Sequence, residues 1–177
     1  PALTKLFRRA YELRGQQFKL LPTAYCLVHS EADGLPGIEI EIYHYYASIT
    51  YFNAGILKHE GAIQASLFTV LPHLRGSYRR LRLPSVATTD PVLSYGIPAP
   101  EELIIEETIG KYIVKLNEGL MTGLFLDQRN NRLWLSQNSE NKHVCNTFSY
   151  TGSLSVACAL GGSASTTSVD LSKVYSQ

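Results

Sequence analysis

The chain has 177 residues, of which 45% are apolar and 18% charged, and a formal net charge of +1. That composition can bury an ordinary core and fits one or two small globular domains. No apolar run reaches the roughly 20 residues of a bilayer-spanning helix, and the N-terminal PALTKLFRRAYELR lacks the apolar centre of a secretory signal.

In chain order, residues 5–18 carry Leu6, Ala10, Leu13 and Phe18 at roughly helical spacing and predict a linker helix ending near Gly15. Residues 24–29, 38–43 and 46–52 alternate like antiparallel strands, separated by the polar turn EADGLPG, and predict a meander. Apolar positions from Ile56 to Leu71 predict one helix over 54–71, stopped by Pro72 and packed on the sheet. Residues 77–83 read as a further strand, 84–100 as a long loop, and 103–107 with 111–116 as a hairpin about Gly110. The spacing then predicts a turn and a helix across 119–138.

Charge is uneven. Up to Arg82 there are ten Lys/Arg against six Asp/Glu, and from Leu83 to Glu140 four against eight. Arg75, Arg79, Arg80 and Arg82 crowd one segment, either to neutralise RNA phosphates or to guard a strand edge. The three cysteines, 26, 145 and 158, have no CxxC spacing, and the five histidines include no i, i+4 pair. The cysteine pattern fits a reducing, cytoplasmic compartment with neither a disulfide framework nor a metal site.

The stretch Val144–Ser172 carries the most chemistry. It reads as strand 144–148, turn 149–152, helix 153–160, then Gly161–Gly162 and a second strand, 166–169, delivering Asp170. Gly152 lets backbone amides approach a ligand, and Asp170 falls where a carboxylate accepts bonds from the vicinal hydroxyls of an adenosine ribose. A pyrophosphate calls for the fuller G-x-G-x-x-G fingerprint, so one glycine favours S-adenosylmethionine, with Ser149 and Thr151 addressing its amino-acid end. Asp127, Gln128, Arg129 and Arg132 beside an apolar cluster suggest a binding wall, or else an Asp127–Arg129 ion pair capping the helix. Cys145 on a buried-type strand and Cys158 on a helix's inner face are poor nucleophiles.

With these residues in view, the chain resembles the class I S-adenosylmethionine-dependent methyltransferases of large-subunit ribosomal RNA, of the I and K/L types. Four ordered blocks carry the resemblance: EADGLPGIEIEIY at 31–43, MTGLFLDQRNNR at 121–132, NTFSYTGSLSV at 146–156 and TTSVDLS at 166–172. Three positions depart from the family pattern: Cys26 replaces an arginine, Glu41–Ile42 an Asp-Arg pair, and Leu120–Met121 a polar pair.

The resemblance implies an α+β N-terminal domain at 1–117, an antiparallel sheet with a packed helix facing RNA. It implies next the first half of an α/β Rossmann-like methyltransferase domain at 118–177. Tyr150, Thr151 and Gly152 would cradle the methionine portion, Asp170 the ribose, and Gln128 and Arg129 would line the pocket. The family's catalytic motif is expected downstream, so the chain is read as a fragment, inactive by itself. Its unfinished sheet edge suggests association with a second copy. The competing readings are a non-catalytic RNA-binding module and part of a nicotinamide-dependent oxidoreductase.

Overall fold

Alternating apolar side chains drive the first sheet. A computed structural model describes residues 2–18, 21–84, 90–119 and 121–172. Residues 85–89 of the expected loop and Leu120 lie outside the described residues. Helix α1 (Ala2–Gln17) leads into strands β1 (Ala24–His29), β2 (Ile38–Tyr43) and β3 (Tyr46–Tyr51), followed by α2 (Ala54–Leu57), α3 (Glu60–Val70), β4 (Gly76–Leu81) and β5 (Val92–Gly96). The five strands form one sheet in sequential order.

Ile38, Ile40 and Ile42 of β2, with Ala47, Ile49 and Tyr51 of β3, turn one face toward α1 and α3. There they join Phe7, Ala10, Ile63 and Leu67 in a single buried cluster. Burying each of the isoleucine, leucine and phenylalanine side chains among them stabilises the fold by about 1.5–3 kcal/mol.

Three details differ from the sequence expectation. The sheet is mixed, because β3 and β4 run parallel while the other neighbours are antiparallel. A parallel pair needs a crossover long enough to carry helices, and α2 with α3 supplies it. The single helix expected over 54–71 is broken: the Asn53 side chain caps α2, and His59 N–H bonds to Ile56 O, a three-residue spacing that interrupts the helical ladder. Finally, the loop expected over 84–100 contains β5, an edge strand whose Val92 and Tyr95 are exposed, so it lacks the alternation that marks a half-buried strand.

The rest of the chain comprises the hairpin β6 (Leu103–Glu107) and β7 (Gly110–Val114), a 3-10 turn at Leu126–Gln128, α4 (Arg129–Asn138), β8 (His143–Thr147), α5 (Ser153–Leu160) and β9 (Ser165–Val169). Strands β8 and β9 are parallel, with Thr147 opposite Val169. By its contacts the chain divides into two compact units: residues 1–103 with 115–121, and residues 104–114 with 122–177. The hairpin groups with the second unit although it precedes residue 118. No helix among the described residues is long and apolar enough to cross a membrane.

In the second unit α4 and α5 meet where Gly161 follows α5. A Cβ built on Gly161 would lie 2.0 Å from Ser136 O of α4, a backbone atom that cannot swing aside. Gly161→Ala is expected to destabilise by about 1–3 kcal/mol through overpacking, measured by urea unfolding with an unchanged m-value.

Candidate functional site

The β8–α5–β9 unit places the ends of both parallel strands on one side, and the turn between β8 and α5 is built from unusual backbone. Phe148 and Tyr150 adopt left-handed conformations at φ 57° and 51°, and Gly152 follows at φ 79°. Left-handed aromatic residues cost energy and persist where surrounding bonds fix them. The Asp170 carboxylate, one residue past β9, provides one of those bonds. Its Oδ2 accepts the Tyr150 N–H at 2.8 Å, and Oδ1 accepts the Ser172 N–H at 2.8 Å. The Ser149 N–H bonds to Val169 O at 3.1 Å, and the Gly152 N–H to Ser149 O at 2.8 Å. Asp170 and the Gly152 turn therefore converge, as the sequence reading requires.

The turn is braced from below and from the side. Asn146 Nδ2 donates to Ser155 Oγ at 3.0 Å, and Ser155 Oγ lies 2.7 Å from Ser168 Oγ, linking β8, α5 and β9 through short polar side chains. Thr151 Oγ1 donates to Gly123 O at 2.7 Å, and the Phe125 and Tyr150 rings lie 5.2 Å apart at 53°. The 122–125 segment thus borders the turn. Sequence reasoning missed Gly123, Phe125 and the Asn146–Ser155–Ser168 chain. Asn146 and Ser168, polar residues within short strands, were the signal for that chain, and Gly123 and Phe125 carried none.

Gln128 and Arg129 make other contacts. Gln128 donates to Asp127 Oδ2 at 3.1 Å and accepts from Asn131 at 2.7 Å. Arg129 pairs with Glu107 at 3.3 Å, not with Asp127, and burial lowers its pKa against the raising effect of Glu107. Arg132 is fully buried. It holds Glu107 through Nε at 2.8 Å and Nη2 at 2.6 Å, and reaches Phe125 O at 2.8 Å. This ion pair ties β6 to α4 and anchors the Phe125 backbone beside the turn. Arg132→Ala leaves a buried carboxylate without its main partner and is expected to cost about 3–5 kcal/mol in chemical denaturation, whereas replacing both Arg132 and Glu107 with apolar residues is expected to cost less.

The four arginines of the first unit do not form one patch. Strand alternation sends Arg79 and Arg80 to opposite faces. Arg79 pairs with Glu60 at 3.0 Å, while buried Arg80 donates to Ser48 Oγ at 3.0 Å and to the carbonyls of Gly119, Lys115 and Leu116. Arg80 is thus a structural clamp on residues 115–119, a correction to its expected role on RNA. Arg75 is exposed and lies 4.5 Å from the Tyr45 ring centre, and exposed Arg82 contacts Met121 Sδ at 2.6 Å. Cys158 is buried, but Cys145 is exposed, contrary to the buried-strand expectation, because alternate residues of β8 face outward.

A family model described as S-adenosylmethionine-dependent methyltransferase matches residues 80–175, including the turn and Asp170. The chain belongs to that family. It is 36% identical over 155 residues to the Ribosomal RNA large subunit methyltransferase I of Pseudoalteromonas atlantica, covering 85% of this chain and 38% of that protein. The Escherichia coli O157:H7 protein of the same name is 34% identical over 154 residues, covering 85% and 39%. A Streptococcus mutans protein described as a SAM-dependent methyltransferase superposes with a TM-score of 0.90 at 37% identity, over 99% of this chain and 46% of its own. A second solved methyltransferase chain, in complex with SAH, matches with a TM-score of 0.90 at 37% identity, covering 99% of this chain and 45% of that one. The chain thus spans less than half the length of these relatives. The fold is an α+β region followed by the opening elements of the Rossmann-like methyltransferase domain.

Bonds from the Ser172 and Tyr150 amides hold the Asp170 carboxyl below the usual carboxylate range. A pKa depressed in the folded state means the bond to the turn is complete above the unfolded value, about 3.9, and is lost as pH falls through the folded value. The Asp170 side-chain carbon is expected to titrate below about 3.9 by NMR, with the Tyr150 amide moving in step. Asp170→Asn is expected to remove that acid transition.

Proposed function

We propose that the chain is the cofactor-proximal part of a methyltransferase that uses S-adenosylmethionine to modify a base of ribosomal RNA. The observation that carries this reading is the Asp170 carboxylate bonded into the single-glycine turn between β8 and α5. An ionised carboxylate has about four acceptor positions, and the Tyr150 and Ser172 amides use two. The others suit the paired hydroxyls of a ribose. A Cβ at Gly152 would find its nearest neighbour, Ser168 Oγ, at 3.9 Å, so the glycine is required by its positive φ and leaves backbone open to a ligand. These donors and acceptors fit a nucleoside without phosphates.

When bound, the cofactor supplies a methyl group activated by its sulfonium. The chain's own residues bind and orient it. Asp170 holds the ribose, and the backbone and hydroxyls of residues 149–152 hold the methionine portion. Phe125 packs on Tyr150 to exclude water from that side, while Gln128 and Arg129 border the pocket. The arrangement fits a dinucleotide poorly because the turn lacks the second and third glycines of that fingerprint.

Ribosomal RNA as substrate is supported by the names of the relatives from Pseudoalteromonas and Escherichia. Exposed Arg75 beside Tyr45 offers a cation and an aromatic face to a nucleic acid, and Arg82 a second cation. A protein of the length of these relatives is expected to bind S-adenosylhomocysteine but no reduced nicotinamide in calorimetry. Asp170→Ala is expected to weaken binding about 10- to 100-fold, the value of charge-assisted hydrogen bonds. It is also expected to lower transfer of labelled methyl groups to ribosomal RNA. Binding of the nicotinamide alone overturns the reading.

A further inference from the structure

Strand alternation places residues three apart on opposite faces, so Cys26 and His29 of β1 should not meet. A bulge changes that. Cys26 pairs with Glu41, but Val28 pairs with Ile40, so three residues of β1 stand against two of β2. The extra residue reverses the alternation and returns His29, opposite Glu39, to the face carrying Cys26, Glu39 and Glu41. The Cys26 thiol, a ring nitrogen of His29 and a carboxylate oxygen of Glu39 all lie within 4.8 Å of one another. We propose that these three side chains bind a divalent cation of the zinc class.

Thiolate, imidazole and carboxylate together are a donor set for a borderline ion such as zinc. Ligands about 2.0–2.3 Å from a tetrahedral centre stand roughly 3–4 Å apart, so side-chain rotation is enough to close them around an ion. Three protein ligands leave a fourth position for water.

The charges nearby are compatible with a cation. Arg14 is adjacent, but its guanidinium spans both oxygens of Asp33 at 3.0 and 2.6 Å, and its Nε bonds to the Cys26 carbonyl at 2.9 Å. Glu41 feels Arg80 and Arg82, yet burial and Glu39 together raise its pKa to about 7. Burial, Glu39 and Glu41 raise the Cys26 thiol to about 12. A bound dication reverses this balance: the thiol gives its proton to solvent, the sulfur becomes a ligand, and the facing carboxylates become favourable.

Cobalt(II), then zinc, titrated into the full chain with Cys145→Ser to remove the exposed thiol, provides the test. The expected result is one equivalent of cobalt with a sulfur-to-metal charge-transfer band, displaced by zinc, and a melting temperature raised by zinc and restored by chelator. Calorimetry in buffers of different ionisation enthalpy is expected to record proton release. Cys26→Ser is expected to abolish the band, and Cys26→Ser or His29→Ala to weaken binding roughly 100-fold. Lack of saturable binding at micromolar metal overturns the proposal. So does an unchanged band in folded Cys26→Ser. If Cys26→Ser does not fold, exposed His29→Ala decides, and unchanged affinity there overturns it.

Discussion

The bond from the Tyr150 amide to the Asp170 carboxylate is the constraint on which the cofactor-side unit depends. It joins the ends of two parallel strands and fixes a turn whose aromatic residues occupy backbone conformations that side chains resist. It forms only when β8 and β9 are parallel and in register, which in turn requires α5 to cross between them. The hydroxyl and amide side chains beneath the turn, Asn146, Ser155 and Ser168, keep the two strands and the helix at that spacing. Thr151 and Phe125 extend the brace to the preceding segment. The polar groups of the turn are thus oriented by bonds within the unit itself.

Much of this was readable from residue order because strand, glycine turn, helix and acid follow one another without interruption. The three-strand meander was readable for the same reason: Ile38, Ile40 and Ile42 alternate without exception. Strand β5 was hidden because an exposed edge has no buried face to write a period into its sequence. The parallel joint between β3 and β4 was hidden because pairing direction lies in the connection, not in the strands. Gln128 and Arg129 were placed on the pocket by resemblance alone; their bonds to Asp127, Asn131 and Glu107 leave no trace in a one-dimensional pattern.

Arginine shows most plainly where composition fails. Charge counting treats Arg75, Arg80 and Arg132 alike. Arg75 lies exposed beside an aromatic ring, Arg80 collects three backbone carbonyls, and Arg132 is sealed against Glu107. Their roles follow from the face of the element each occupies and from the number of acceptors waiting there. The planar five-donor guanidinium suits the latter two positions, where a lysine could not reach the same partners. Cys26 and His29 make a related point: a one-residue bulge changes which side chains meet.

The hairpin that leaves the first unit and returns to it has a further consequence. The polypeptide passes between units after Leu103, again after Val114 and a third time after Met121. No single cut therefore separates them. A cleavage near residue 117 severs β6 and β7 from the helix that Glu107 secures, and a cleavage near residue 103 strips the clamp of Arg80 from its carbonyls. Dissection of this protein into freestanding halves has to respect a braided connectivity rather than a boundary.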